Sequence, residues 1–98
     1  MKLNKDIIIQ KLAEAKPFMQ EEFLLSEIAL FCSYARNEQT ETSDIDLMIS
    51  EKSKSFRKYQ SLYHFLQKLF DGYKVQLVSK SGIKQAYFQR LKNDLLYL

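Results

Sequence analysis

The chain is poor in the residues that usually punctuate or cross-link a fold. Its 98 residues include one cysteine, one proline, two glycines, one histidine and no tryptophan. A single cysteine, Cys32, excludes an internal disulfide and suits a reducing compartment, so a cytoplasmic protein is expected. So little proline and glycine argues against long flexible linkers and against disorder, and no internal repeat or low-complexity tract is present. No apolar run approaches the ~20 residues that a bilayer span requires. The opening stretch Met1-Lys2-Leu3-Asn4-Lys5-Asp6 lacks the long apolar core of a secretory leader, so neither a membrane nor secretion is expected.

What is present suits one small globular domain over residues 1–98, with 46% hydrophobic and 28% charged residues. A chain of this size buries a modest core, so a partner or a second copy of the chain, as a homodimer, is a reasonable source of extra stability. The net charge of +3 tilts mildly towards anionic partners but fixes none.

Periodicity then places the elements. Ile7, Ile8, Leu12 and Ala15 recur at helical spacing over residues 4–16, with Asn4 as N-cap and Pro17 as the expected end. Residues 18–24 read as a further turn of helix or a connection. Glu27 to Phe31 reads as a short buried strand, Ser33 to Arg36 as a short helix, Asn37 to Thr42 as a polar loop, and Ile45 to Ile49 as a second strand. Phe56, Tyr59, Tyr63, Leu66 and Phe70 give the longest helical stripe, over 54–70, stopped by Asp71-Gly72. A third strand is expected over 73–78 and a closing helix over 83–95. The apolar end, Leu95 to Leu98, should dock on the core or meet a partner. Alternating strands and helices predict an α/β or α+β domain with a short sheet, whose strand order the pattern leaves open.

Two features carry chemistry. Asp44 and Asp46 stand two apart on the second strand, so both side chains point the same way, with Cα atoms ~6–7 Å apart. Paired carboxylates repel unless a cation lies between them, and Mg²⁺ is commonly held by one or two carboxylates with phosphates and waters completing its shell. A bare D-x-D also arises as a strand cap beside an exposed acid. Ser33, at a strand-to-helix junction, has the position to bond a phosphate oxygen, and Arg36, one turn on, to grip it bidentately; a plain N-cap serine and a solvated arginine would look the same. His64, between Tyr63 and Phe65, reads as structural. Lys52, Lys54, Arg57 and Lys58 read as a solvated face, so nucleic acid is not an expected partner.

Together these residues are more specific. Phe31-Cys32-Ser33-Tyr34-Ala35-Arg36, a short polar loop, then Ser43-Asp44-Ile45-Asp46-Leu47 resembles the minimal nucleotidyltransferase family, with Lys74-Val75-Gln76-Leu77-Val78 where that family has Lys-Val-Asp-Leu-Val. The resemblance spans nearly the whole chain. It implies the DNA polymerase beta-like nucleotidyltransferase fold, an α+β arrangement of a small mixed sheet with helices mainly on one side. It implies Mg²⁺ held by Asp44 and Asp46, and a nucleoside triphosphate, ATP by preference, bound by Ser33 with support from Arg36 and with Cys32 in the phosphate turn. It also implies transfer of a nucleoside monophosphate to a hydroxyl. Many minimal members act as antitoxins beside a helical HEPN-type partner, some by modifying its tyrosine. Transfer to a small acceptor such as an aminoglycoside is disfavoured, because ~100 residues leave no room for an acceptor domain.

Three departures bear on activity. Cys32 and Asn37 replace the two glycines of the family turn, and Gln76 replaces the third carboxylate. An amide is neither a base near neutral pH nor a good metal ligand. Asp94, in the expected closing helix, reaches the site only by fortunate packing, and Glu38 and Glu41 are expected to be solvated. Alternatively, then, the chain is an inactive nucleotidyltransferase-fold module that acts by binding a helical partner.

Overall fold

The computed structural model describes residues 2–98; Met1, the first residue of the polar opening stretch, lies outside the described residues. The elements run α1 (Lys5–Glu22), β1 (Leu25–Phe31), α2 (Cys32–Ala35), β2 (Ile45–Glu51), α3 (Phe56–Leu69), β3 (Val75–Ser79), a 3₁₀ turn (Lys80–Gly82), α4 (Gln85–Leu91), a second 3₁₀ turn (Lys92–Asp94) and β4 (Leu96–Tyr97). The strands form one mixed sheet in the order β3-β2-β1-β4. β1 is antiparallel to both β2 and β4, whereas β2 and β3 are parallel, joined by the α3 crossover.

Alternation along the strands divides the apolar residues between two faces. On one face Ile28, Leu30, Ile45, Leu47, Ile49, Val75 and Leu77 pack with Ile8, Leu12 and Met19 of α1 and Leu62 and Leu66 of α3. On the other, Phe31 and Met48 form a smaller cluster with Leu91, flanked by Val78, Ile83, Phe88 and Leu95. The two long helices therefore share one face, and α4 with its following turn covers part of the other. An irregularity between Leu25 and Glu27 shifts the β1–β2 register, which lets Leu25 join Ile28 in the main core although Ser26 and Glu27 lie between them and strict alternation would put the two on opposite faces.

The expected end of α1 at Pro17 is overturned: the helix runs on through Pro17 to Glu22. Proline lacks an N–H, so the carbonyl of Ala13 loses its helical donor, at a cost of ~3 kcal/mol in a helix interior. Ala13 and Pro17 are both exposed, so water reaches that carbonyl. Beyond the proline, Met19 is fully buried, which contributes ~1.5–3 kcal/mol. Phe18 also stacks with Phe23 and Phe65, at ring-centroid distances of 5.9 and 5.2 Å. These contacts offset the break.

The closing helix is likewise shorter than 83–95. It spans Gln85–Leu91, and the chain then turns through Lys92–Asp94 and pairs with β1 as β4. The apolar end thus docks on this chain's own sheet: Ala29 pairs with Tyr97, Leu30 with Leu96, and the Leu98 N–H donates to the Ile28 carbonyl at 3.0 Å. Phe56, expected on the apolar stripe of α3, is 75% exposed. At the other sheet edge, side chains of α3 serve the backbone of β3. The Tyr59 hydroxyl donates to the Leu77 carbonyl at 2.5 Å, the Gln67 amide donates to the Tyr73 carbonyl, and the Val75 N–H donates to Gln67 Oε1 at 3.2 Å. Side chains placed this way blunt an edge strand.

Restoring the donor in α1 should show directly. Pro17→Ala is expected to raise the free energy of unfolding by about 1–3 kcal/mol in urea titrations. An unchanged or lower stability would show that the ring contributes where it stands.

Candidate functional site: an acid pair beside a strained turn

The site lies where β1 passes into α2 and the polar loop returns into β2. Asp46 pairs with Phe31 of β1 on one side and with Gln76 of β3 on the other. Central placement on β2 therefore sets Asp46 and Gln76 side by side on neighbouring strands, ~4.8 Å apart in the sheet. Asp44 immediately precedes β2. Asp44 and Asp46 are both partly exposed and Gln76 is exposed, so solvent reaches this end of the sheet.

Burial, and then the Asp44 carboxylate, push the Asp46 carboxyl from its ordinary 3.8 up to about 6; a hydrogen bond from the Cys32 thiol offsets part of this. The ion pairs among the described residues join Lys2 to Glu41 and Arg36 to Glu38 and Asp94, so neither Asp44 nor Asp46 belongs to one. No group of three or more His, Cys, Asp and Glu able to hold a metal ion is found among the described residues. The donor set is thus two hard carboxylates with unrelieved mutual repulsion and an open side, which suits one hard divalent cation whose other ligands are phosphate oxygens and water.

The turn before it is unusual. Cys32 has φ +63° and Asn37 has φ +59°, so the one-turn helix α2 is bracketed by two non-glycine residues in the left-handed region. These are the positions where the resemblance placed glycine. Asparagine tolerates that region, but a cysteine there costs roughly 1–2 kcal/mol. The turn is closed by Arg36 N–H to Cys32 O at 3.1 Å, Asn37 N–H to Tyr34 O at 3.1 Å and Glu38 N–H to Ser33 O at 2.8 Å, while Tyr34 anchors it in the core at 3% exposure. Ser33, on this turn, is half-buried. The Cys32 thiol, half-buried beside Asp46, is pushed up by burial and then by the Asp46 charge.

Arg36 is where the structure adds most. Its Nη1 lies 2.5 Å from Asp94 Oδ2, and its Nε lies 3.1 Å from Glu38 Oε1. Both acids had been set aside in the sequence. Glu38 is not simply solvated, and Asp94 reaches the site because β4 docks on β1 and carries the preceding turn with it. The signal available in the sequence was indirect: an acid one residue before an apolar end that has to pack somewhere. Ser33, Cys32, Arg36, Asp44, Asp46 and Gln76 are thus gathered at one end of the sheet. Glu41 instead pairs weakly with Lys2 at 3.9 Å, and His64 is exposed on α3 beside Tyr63.

Two measurements follow from this geometry. Cys32→Gly should be more stable than Cys32→Ala by about 1 kcal/mol, since both remove the sulfur and only glycine relieves the left-handed backbone; equal stabilities would mean that no strain resides there. The Asp46 shift gives a pH dependence. Its folded-state value lies above the ordinary 3.8, so the native state holds the proton more tightly than the unfolded chain. That stabilisation is complete below about pH 4 and is lost as pH rises through about 6. Asp46→Asn should therefore melt a few degrees above the wild type at about pH 8 and level with it at about pH 4, in thermal scans. A constant offset across that range would overturn the assignment.

Comparisons with known proteins agree with the geometry. The family profile described as "Nucleotidyltransferase domain" matches residues 12–97. A candidate protein adenylyltransferase of Methanocaldococcus jannaschii is 38% identical over 91 residues, covering 89% of this chain and 90% of that protein. Protein adenylyltransferase MntA of Thermococcus cleftensis is 33% identical over 84 residues, covering 85% of this chain and 84% of its own length. Among solved structures, a mutant of the toxin–antitoxin pair MntA–HpeT superposes with a TM-score of 0.67 at 23% identity, over 97% of this chain and 72% of the other. A toxin–antitoxin structure with AMP-PNP superposes with a TM-score of 0.60 at 27% identity, over 89% of this chain and 65% of the other. With its acid pair at the start of the interior strand β2 and its motif turn in place, the chain belongs to the nucleotidyltransferase domain family, as one of the minimal nucleotidyltransferases.

Proposed function

We propose that this chain binds a nucleoside triphosphate, ATP by preference, with Mg²⁺, and transfers the nucleoside monophosphate to a hydroxyl of a protein partner. The favoured acceptor is a tyrosine of a helical HEPN-type toxin, which makes the chain an antitoxin. The observation that carries this is the Asp44–Asp46 pair, uncompensated by any cation among the described residues and adjoining the Cys32–Asn37 turn. The relatives named as protein adenylyltransferases and the toxin–antitoxin structure with AMP-PNP support the substrate class and the kind of partner.

On this reading Asp44 and Asp46 hold the cation, and Ser33 and the backbone of its turn receive the phosphates. A bound divalent cation supplies charge neutralisation at the phosphates. The acceptor oxygen bonds to the α-phosphorus, the bond to the bridging oxygen breaks, and pyrophosphate leaves. The hydroxyl must also lose its proton, and Gln76, beside Asp46, has no group to take it. Loss of a general base costs a factor of about 10²–10⁴, so the reaction is slow.

Gln76 favours a second reading, in which the fold persists as a module that binds a helical partner without turnover. Exposed Phe56, Tyr87 and Tyr97 offer apolar surface for such a contact. Incubating the chain with labelled ATP, Mg²⁺ and a HEPN-type toxin separates the two. Transfer predicts label on the toxin, lost in Asp44→Asn and Asp46→Asn and increased about 10²-fold or more in Gln76→Asp. Toxin that co-purifies with the chain but takes no label from the wild type or from Gln76→Asp leaves the binding module standing.

A further inference from the structure

We infer that Asp94 is a positioning residue for the nucleotide turn, and that Arg36 serves as the strut between them and not as a phosphate ligand. Four observations converge. The guanidinium is held on two sides, with Nη1 on Asp94 Oδ2 at 2.5 Å and Nε on Glu38 Oε1 at 3.1 Å. Two carboxylates around one cation leave the cluster net negative, which is a poor reception for a triphosphate. Arg36 caps the C-terminal end of α2 within the turn, its N–H donating to the Cys32 carbonyl. The turn itself holds left-handed backbone at Cys32 and Asn37, and such conformations persist only where the surroundings over-determine them.

Asp94 is well placed to supply that restraint. Its side chain is 24% exposed, and it sits between two anchors. On one side Leu91 is buried with Phe31, the residue that leads into the turn. On the other, Leu96 and Tyr97 pair with Leu30 and Ala29 of β1. Asp94 is therefore fixed to the strand from which the turn springs, and reaches 58 residues back along the chain to hold the turn's far end. The strut makes Asp94 part of the nucleotide site although its side chain bonds Arg36 and neither Asp44 nor Asp46.

The opposite role is physically distinct. If Asp94 merely occupied an arginine that would otherwise grip phosphate, removing it would tighten nucleotide binding. The sign of one change therefore decides. The measurements are amide hydrogen exchange on the nucleotide-free full chain and calorimetric titration with MgATP, for wild type, Asp94→Asn, Asp94→Glu and the exchanged pair Arg36→Asp with Asp94→Arg. Only the calorimetric arm rests on the nucleotide reading proposed above; if the wild type binds no MgATP, that reading fails and exchange alone judges the strut.

Expected are about tenfold faster exchange confined to residues 32–37 and 92–97 in Asp94→Asn, with MgATP weakened about tenfold, the scale seen when an outer support of a binding group is removed. Asp94→Glu and the exchanged pair should recover most of both. The proposal is overturned by unchanged exchange at 32–37, by tighter MgATP binding in Asp94→Asn, or by a uniform loss of protection across the sheet and α3 in every variant, which would make the pair a general stability element.

Discussion

The site depends on one electrostatic constraint: two carboxylates are held close together where the chain enters β2 and water only half reaches them. In water both would be ionised at neutral pH. On β2, burial and the Asp44 charge keep the Asp46 proton up to about 6, and no lysine or arginine among the described residues pairs with either acid. A protein under selection for stability alone would be expected to place an apolar residue there, as it does at the neighbouring positions Ile45, Leu47 and Met48. The acids are kept at a cost in stability, which a divalent cation would remove on the proposed reading.

Backbone geometry adds a second constraint of the same kind. Cys32 and Asn37 hold left-handed backbone around α2, at the positions where the resemblance placed glycine. The backbone takes this shape without the glycines that would make it cheap. Rigid surroundings make this possible: Tyr34 below in the core, the Arg36 pairs above, and Phe31 locked between β2 and the Leu91 cluster. Site chemistry and core packing are therefore one structure, because the residue that ends β1 is also the one that aims the turn.

Much of this was legible in the chain, because local patterns carried it. Alternation in Ile45-Asp46-Leu47 gives the strand and the shared direction of the acids. The helical stripe of α3 and the Asp71-Gly72 stop were likewise readable. The misses have a common cause: each was decided by contacts distant in sequence. Pro17 looks terminal on local grounds, yet Met19 and the Phe18–Phe23–Phe65 cluster carry α1 past it. Residues 92–97 look helical until pairing with β1 makes a strand of their end. Glu38 and Asp94 look unrelated until β4 docks and delivers one of them to Arg36. Strand order and the mixed directions of the sheet could not be read from any single window for the same reason.

The order of the strands has a consequence for how the chain acquires its shape. The interior pair, β1 and β2, is the most local pairing in the sheet, joined by the short stretch from Cys32 to Asp44. Loop closure is cheapest for such neighbours, so the sheet grows most readily outward from them, adding β3 after the α3 crossover and β4 last. The connection from Cys32 to Asp44 is thus the one that closes the most local strand pair. Asp94, by contrast, meets Arg36 across 58 residues of chain, through the last strand to pair with β1.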